Sequence, residues 1–256
     1  MRFFFLLVSL IALPLGSAAS TVLLSHSGSA NPTTQGWSRA STSNVVAGAY
    51  NDNGREVWRV YDAGLTTSAN NLNYSGTLNA ATVASVMDSG WELSATLRVP
   101  EDDPDHSIAM AAGSNIWIGF IINETDTNRR AWAFMFGRAE NGDTLVSTYG
   151  SGTPRTLAPG YHDYSMVYDP ATALVTVSID GEFWKTYAGA SSSSNGTQQV
   201  YWGDNSGQTS TQPGRAAYYE SVQFASVPEP SRLLLLGLGI AILGFHRRRG
   251  NRAIHS

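Results

Sequence analysis

The stretch LVTVSIDGEFWKTY, residues 174–187, decides the fold of this chain. Val175, Val177 and Ile179 occupy alternate positions before the pair Asp180-Gly181, and Phe183, Lys185 and Tyr187 follow it with the same spacing. A period of two residues is the pattern of a β-strand with one buried and one solvated face. Asp-Gly favours the positive φ angles of a tight two-residue turn. The stretch therefore predicts an antiparallel hairpin, which is the building unit of an all-β domain.

Strand-like patterns continue on both sides of this hairpin. Trp91 to Val99 alternates strictly between apolar and polar residues, whereas Ile116 to Ile122 and Ala131 to Phe136 are almost continuously apolar. Continuous apolar runs are typical of strands that are covered on both faces. The remaining strand-like runs are Thr144 to Thr148, Tyr164 to Asp169, Val200 to Trp202 and Tyr218 to Phe224. Short strands between turn residues predict an all-β antiparallel sandwich.

One segment departs from the strand pattern. The apolar residues of Thr77 to Met87 fall near helical spacing. Thr77 or Asn79 provides the side-chain oxygen that an N-cap needs. We therefore expect one short helix beside the strands.

The amino-acid composition excludes several classes of partner and of catalytic site. Residues 20 to 226 contain 19 Asp and Glu against 10 Lys and Arg, a net charge of about minus nine, and their one lysine is Lys185. An acidic domain without a basic stripe argues against nucleic acid as a partner. The chain has no cysteine, which excludes thiolate nucleophiles, zinc-thiolate sites and iron-sulfur clusters.

The first nineteen residues have the pattern of a secretory signal peptide. Arg2 precedes the apolar stretch Phe3 to Leu13, and small residues close the segment up to Ala19. This order of charged, apolar and small residues is typical of cleavable export signals. We expect residues 1–19 to be a signal peptide and residues 20–226 to be the exported domain.

The last thirty residues, 227–256, form a second signal. Val227, Pro228, Glu229 and Pro230 precede an apolar membrane segment at about 231–246, and a basic tail, 247–256, begins with Arg247, Arg248 and Arg249. The 13 apolar residues from Leu233 to Phe245 would cover roughly 20 Å as a helix, against a hydrocarbon core of about 30 Å. The arginines act as a membrane stop and predict that the domain faces away from the cytoplasm. An ordinary membrane anchor is the alternative.

This tail resembles the sorting signal of the PEP-CTERM proteins of Gram-negative bacteria. The resemblance covers residues 227 to about 252 and is carried by Pro228-Glu229-Pro230, the short membrane segment and the arginine cluster. It implies recognition by an exosortase in the inner membrane and removal of the tail near the motif. It also implies delivery to the cell surface or to an exopolysaccharide matrix.

A second resemblance covers roughly residues 90 to 225. The stretches 90–94, 161–170 with its following hairpin, and 217–224 look like the core of concanavalin-like and laminin-G-like jelly-roll domains. The resemblance implies two curved antiparallel sheets. It also implies a concave face or a loop rim of the kind that commonly binds glycans.

The candidate glycan site combines aromatic and polar residues near the end of the domain. Sugars stack their C–H faces on aromatic rings and offer hydroxyl groups to polar side chains. The candidate residues are Tyr201, Trp202, Asp204, Asn205 and Arg215. For Trp202, although it is among these candidates, a place in the core is favoured, because one of two adjacent strand residues must face inward. Trp91, Trp117 and Trp132 lie in apolar strand contexts and are expected in the core.

Two segments could bind calcium. Asn123 and Asp126 lie in a polar turn between two predicted strands, and the acidic run from Glu101 to His106 follows another strand. Calcium prefers oxygen ligands of this kind, although solvated loops have the same composition. No other cofactor is expected.

The sequence gives no catalytic residues. Jelly-roll glucanases place two carboxylates on one strand, and neither Glu-x-Asp-x-Glu nor Glu-x-Asp-x-x-Glu occurs in this chain. A glycan-binding function is therefore favoured. A glycoside hydrolase or lyase with unrecognised acids and a structural matrix protein without a ligand site remain as alternatives.

Overall fold

The chain folds into a two-sheet β-sandwich. A computed structural model describes residues 20–41, 45–62, 72–100, 113–139, 141–193, 196–204 and 215–227. The strands are β1 Thr21–Ser27, β2 Ser38–Ser41, β3 Val45–Asp52, β4 Arg55–Asp62, β5 Leu72–Thr77, β6 Trp91–Arg98, β7 Gly113–Asn123, β8 Arg129–Arg138, β9 Thr144–Thr148, β10 Ser151–Leu157, β11 His162–Asp169, β12 Leu174–Ile179, β13 Glu182–Tyr187, β14 Ala190–Ser192, β15 Gln199–Asp204 and β16 Arg215–Ser226. A helix, α1, spans Ala80–Ser89, and a 3₁₀ turn spans Pro32–Gln35.

All strand pairs are antiparallel. The first sheet has the order β13-β12-β11-β6-β16-β4-β3, with β1 added against β16. The second sheet has the order β10-β9-β8-β7-β15-β5-β2, with β14 added against β8. The predicted antiparallel sandwich with one short helix is thus confirmed.

The decisive hairpin forms as the sequence predicts. Strands β12 and β13 pair across Asp180 and Gly181, whose φ angles are 54° and 76°. The Asp180 carboxylate also accepts hydrogen bonds from the backbone N–H of Asp163 at 2.9 Å and from His162 Nδ1 at 2.7 Å. Burial opposes ionisation of Asp180, but these two bonds outweigh it and hold its pKa below the usual range. The turn is therefore fastened to the start of β11.

Helix α1 begins three residues later than the predicted segment. Asn79, one of the two expected caps, accepts a hydrogen bond from the backbone N–H of Thr82 at 2.8 Å. The buried side chains of the helix are Val83 and Val86, which join the core between the sheets. The helix therefore contributes one apolar stripe to the sandwich.

Aromatic rings fill the space between the sheets. Trp91 stacks on Tyr168 with 5.6 Å between ring centroids and meets Trp132 edge-on at 5.4 Å. Both tryptophans are buried, as the sequence predicts. Large aromatic side chains contribute most of the burial energy of such a core. All members of this core lie within the compact unit Ser20–Val227.

The last strand of the sandwich lies inside the first sheet and not at its edge. Strand β16 pairs with β6, β4 and β1. Its final residue, Ser226, faces Trp91, and the N–H of Val227 donates to the carbonyl of Gly90 at 3.1 Å. Sheet pairing therefore continues to Ser226, and one further backbone hydrogen bond holds Val227, which directly precedes Pro228.

Three predicted segments lie outside the described residues: the signal peptide 1–19, the acidic run 101–106 and the tail from Pro228 onwards. Within the described ranges, none of the helices has the length and apolar character that a membrane span requires.

Candidate functional site

A groove on the outer face of the second sheet combines aromatic, amide and cationic side chains. Its volume is about 340 Å³. The groove is formed by strands β5, β7, β8 and β15 together with the residue after β9. Its lining residues are Asn73, Trp117, Ile121, Arg129, Ala131, Tyr149, Gln199 and Tyr201.

Tyr201 forms the base of the groove. It lies on β15 opposite Gly119 of β7, and its side chain is only 6% exposed. A Cβ atom at Gly119 would come within 2.8 Å of the Tyr201 hydroxyl and within 2.7 Å of the Ala133 Cβ. The absence of a side chain at Gly119 therefore gives the Tyr201 ring room to lie against the sheet.

Trp117 and Tyr149 form an aromatic pair beside this base. Their ring centroids are 5.2 Å apart and both residues are half-buried. The prediction that Trp117 belongs to the core is wrong. Its strand alternates, so Ile116 and Ile118 point into the sandwich and Trp117 points to the outer face.

The decisive hairpin also positions this aromatic pair. The hydroxyl of Tyr187, at the end of β13, donates to the backbone carbonyl of Tyr149. The backbone N–H of Tyr149 donates to the carbonyl of Ala133 at 3.0 Å. Burial, with a smaller contribution from nearby Tyr149, raises the pKa of Tyr187 well above its usual range. The hydroxyl is therefore protonated at neutral pH and can donate this bond.

The polar side chains of the groove are two amides and one guanidinium. Asn73 and Gln199 offer carboxamide donors and acceptors, and Arg129 donates from Nε to the Ser192 hydroxyl at 2.9 Å. Burial raises the pKa of Tyr201. The neighbouring tyrosines Tyr149 and Tyr187 raise this pKa further, whereas the charge of Arg129 lowers it. Tyr201 is thus a neutral hydrogen-bonding group, and the groove carries the positive charge of Arg129.

The sequence-predicted glycan residues are not brought together. Tyr201 lines the groove, but Trp202 is 0% exposed and stacks inside the sandwich on Tyr74 and His26 at 4.6 and 4.9 Å. Trp202 is therefore corrected to a core residue, because alternation turns it away from Tyr201. Asp204 is also fully buried and cannot face a sugar. Asn205 and the side chain of Arg215 lie outside the described parts of the chain.

The structure gives Asn123 a role in holding a loop. Its side-chain amide donates to the carbonyl of Gly196 at 2.9 Å, and its side-chain oxygen accepts from the N–H of Gly196 at 3.2 Å. Asp126 is exposed in the turn that follows. Among the described residues, no group of three or more metal-ligating side chains is assembled. A calcium site at Asn123 and Asp126 stays a prediction.

A second, smaller cavity lies on the outer face of the first sheet. Its volume is about 220 Å³, and Glu92 and Asp163 are the carboxylates that line it. Asp163 faces Thr96 and accepts a hydrogen bond from its hydroxyl at 2.6 Å. Glu92 lies four residues along the same strand, about 13 Å from Thr96 at the rise of a β-strand.

Solved structures with a similar fold include a phage esterase and a plant lectin. The carbohydrate esterase of the Shiga toxin-encoding bacteriophage phi24B is 15% identical, with a TM-score of 0.57 over 81% of this chain and 99% of the esterase. Peanut lectin in complex with a nine-residue peptide is 9% identical, with a TM-score of 0.48 over 81% of this chain and 97% of the lectin. At these identities the similarity concerns the fold, which is a two-sheet antiparallel β-sandwich. No curated protein sequence matches the chain.

The tail identifies how the protein is sorted. Residues 226–249 match the PEP-CTERM protein-sorting motif, which confirms the sequence-based identification. This motif marks an exported, membrane-processed and surface-sorted protein, with an exosortase as the processing partner. The match begins at Ser226, the last residue of β16. The sorting signal therefore follows the sandwich without a spacer.

Proposed function

We propose that this protein binds extracellular polysaccharide through the groove between Trp117 and Tyr201 after export to the cell surface. The observation that carries the proposal is the mixture of side chains in the groove. Trp117 and Tyr149 offer ring faces for sugar C–H groups, and Asn73 and Gln199 offer amides for sugar hydroxyls. Ligand sites typically combine such an aromatic lining with a few polar groups that fix orientation.

The arrangement of carboxylates supports binding and not hydrolysis. Glycoside hydrolysis requires two carboxylates about 5 to 10 Å apart across the sugar. The described lining of the groove contains no carboxylate at all.

A glycan array tests this function. The compact unit Ser20–Val227, produced without the tail, is expected to bind at least one polysaccharide, and the interaction should survive addition of a calcium chelator. Absence of binding to every glycan, with and without calcium, would support the alternative of a structural matrix protein instead.

We further propose that the tail is cut after Val227. Because Val227 is still hydrogen-bonded to Gly90, a cut upstream would remove part of a strand that lies inside the first sheet. Mass spectrometry of the surface fraction should find a C-terminus at or beyond Val227 and no peptide containing Arg247, Arg248 and Arg249. Recovery of the intact basic tail from the surface fraction would instead support an ordinary membrane anchor.

A further inference from the structure

The groove carries a positive charge within an otherwise acidic domain. Arg129 is its cation, and the lining residues that the structure describes include no carboxylate. The domain as a whole has about nine more acidic than basic residues. At physiological salt, charges beyond about 8 Å are largely screened, so the local Arg129 and not the distant acids determines which ligand charge is favoured.

The guanidinium of Arg129 is oriented by its neighbours. Its Nε donates to the Ser192 hydroxyl on β14, the strand that pairs with this end of β8. That bond fixes the edge of the planar group that carries Nε. A guanidinium fork matches the two oxygens of a carboxylate in a bidentate pair.

The adjacent Arg130 has a different role. Its guanidinium is paired with Glu124 and donates from Nη1 to the carbonyl of Ala188 at 2.9 Å. Glu124 also accepts a hydrogen bond from Ser191 at 3.2 Å. Glu124 is therefore engaged with Arg130, whereas the Nε of Arg129 donates to the Ser192 hydroxyl.

We propose that the ligand of this groove is an acidic polysaccharide whose uronic carboxylate is bound by Arg129. The inference rests on the proposed function and specifies its ligand. Trp117, Tyr149 and Tyr201 provide apolar contact for the sugar ring, while Arg129 at the β14 side receives the carboxylate. Charge-assisted bidentate pairs are roughly twice as strong as neutral hydrogen bonds, so the carboxylate provides selectivity over neutral glycans.

The test compares two ligands that differ only in this group. Binding of an oligogalacturonide and of the same oligosaccharide with its carboxyl groups reduced to alcohols is measured by calorimetry. The full chain is used, in a polyoxyethylene detergent whose headgroup is not a sugar. We expect the acidic ligand to bind about tenfold more tightly. Arg129→Gln should remove that difference, and Arg129→Lys should retain part of it.

The matched control is Arg130→Gln, which removes the neighbouring guanidinium and should keep the tenfold preference. Equal binding of both ligands to the unmodified chain would overturn the uronate inference but leave the glycan-binding function in place. Equally tight binding of a sulfated glycan would also overturn it, because the site would then be a general anion site. Failure of either ligand to bind, in agreement with a negative glycan array, would overturn the function itself.

Discussion

Replacing Trp202 with alanine is expected to lower the free energy of unfolding by about 4 kcal/mol, the range found for large aromatic residues removed from cores. Trp202 is fully buried and contacts four rings, those of His26, Trp37, Tyr74 and Tyr219. Removal of the indole leaves a cavity that this aromatic cluster cannot close without moving strands. The measurement is chemical denaturation of the unit Ser20–Val227 followed by circular dichroism.

The control for this change is Phe183→Ala. Phe183 lies on the edge strand β13 and is 65% exposed, so its loss should alter the free energy of unfolding by less than about 0.5 kcal/mol. A Trp202→Ala variant with unchanged stability and abolished glycan binding would contradict the structure. Such a result would instead place Trp202 in the candidate glycan site that the sequence predicts.

Replacing Trp117 with alanine should weaken glycan binding by about thirtyfold or more, which corresponds to the loss of a binding hot spot of about 2 kcal/mol. Trp117 is half-buried on the outer face and stacks with Tyr149 over the groove. The affinity should be measured by titration with the glycan that the array identifies. Circular dichroism and denaturation of the same variant establish that the sandwich is folded.

The matched variant is again Phe183→Ala, since it removes an aromatic side chain from the opposite sheet. Its affinity for the glycan should equal that of the unchanged protein. If Trp117→Ala binds as well as the unchanged protein, the groove is not the binding site. Loss of affinity in both variants would indicate a general effect on the sandwich and not a contact in the groove.

Much of the sandwich could be predicted from turn chemistry and alternation. Asp180-Gly181 and the pattern of Trp91 to Val99 identify strands that the structure forms as β12, β13 and β6. The strands before residue 78 were not predicted, although the same rule applies to one of their turns. Asn53-Gly54, with φ angles of 54° and 92°, joins β3 to β4 in the two-residue turn that Asn-Gly favours. That hairpin could have been recognised from the sequence.

The candidate site could be predicted only in part, because it is assembled across strands distant in sequence. Tyr201 was identified from its aromatic and polar neighbours in sequence. Trp117 and Arg129 belong to the same groove through the pairing of β7 with β15 and β8, and no local pattern indicates that pairing. The run from Ile116 to Ile122 is almost continuously apolar, so it does not show which residues face outward. Trp117 and Gly119 are as apolar in sequence as the core residues on either side of them.

The error at Trp202 has a similar origin. Two adjacent strand residues point to opposite faces, so a local sequence identifies a pair but not its inward member. In β15 the inward residues are Val200, Trp202 and Asp204, and the outward residues in the groove are Gln199 and Tyr201. Contacts from the partner sheet, such as the stacking of His26 of β1 on Trp202, decide between the two registers.

The central claim is that a glycan occupies the groove of the exported sandwich, and the most direct measurement is an NMR titration of the indole N–H signals. The chain has seven tryptophans, and Trp117 is the one in the described lining of the groove. The Trp117→Phe variant assigns its signal. The account predicts that the Trp117 signal shifts progressively with added polysaccharide while the signals of buried Trp91, Trp132 and Trp202 remain in place. An unchanged Trp117 signal at saturating polysaccharide, or shifts confined to Trp184 on the opposite sheet, would contradict it.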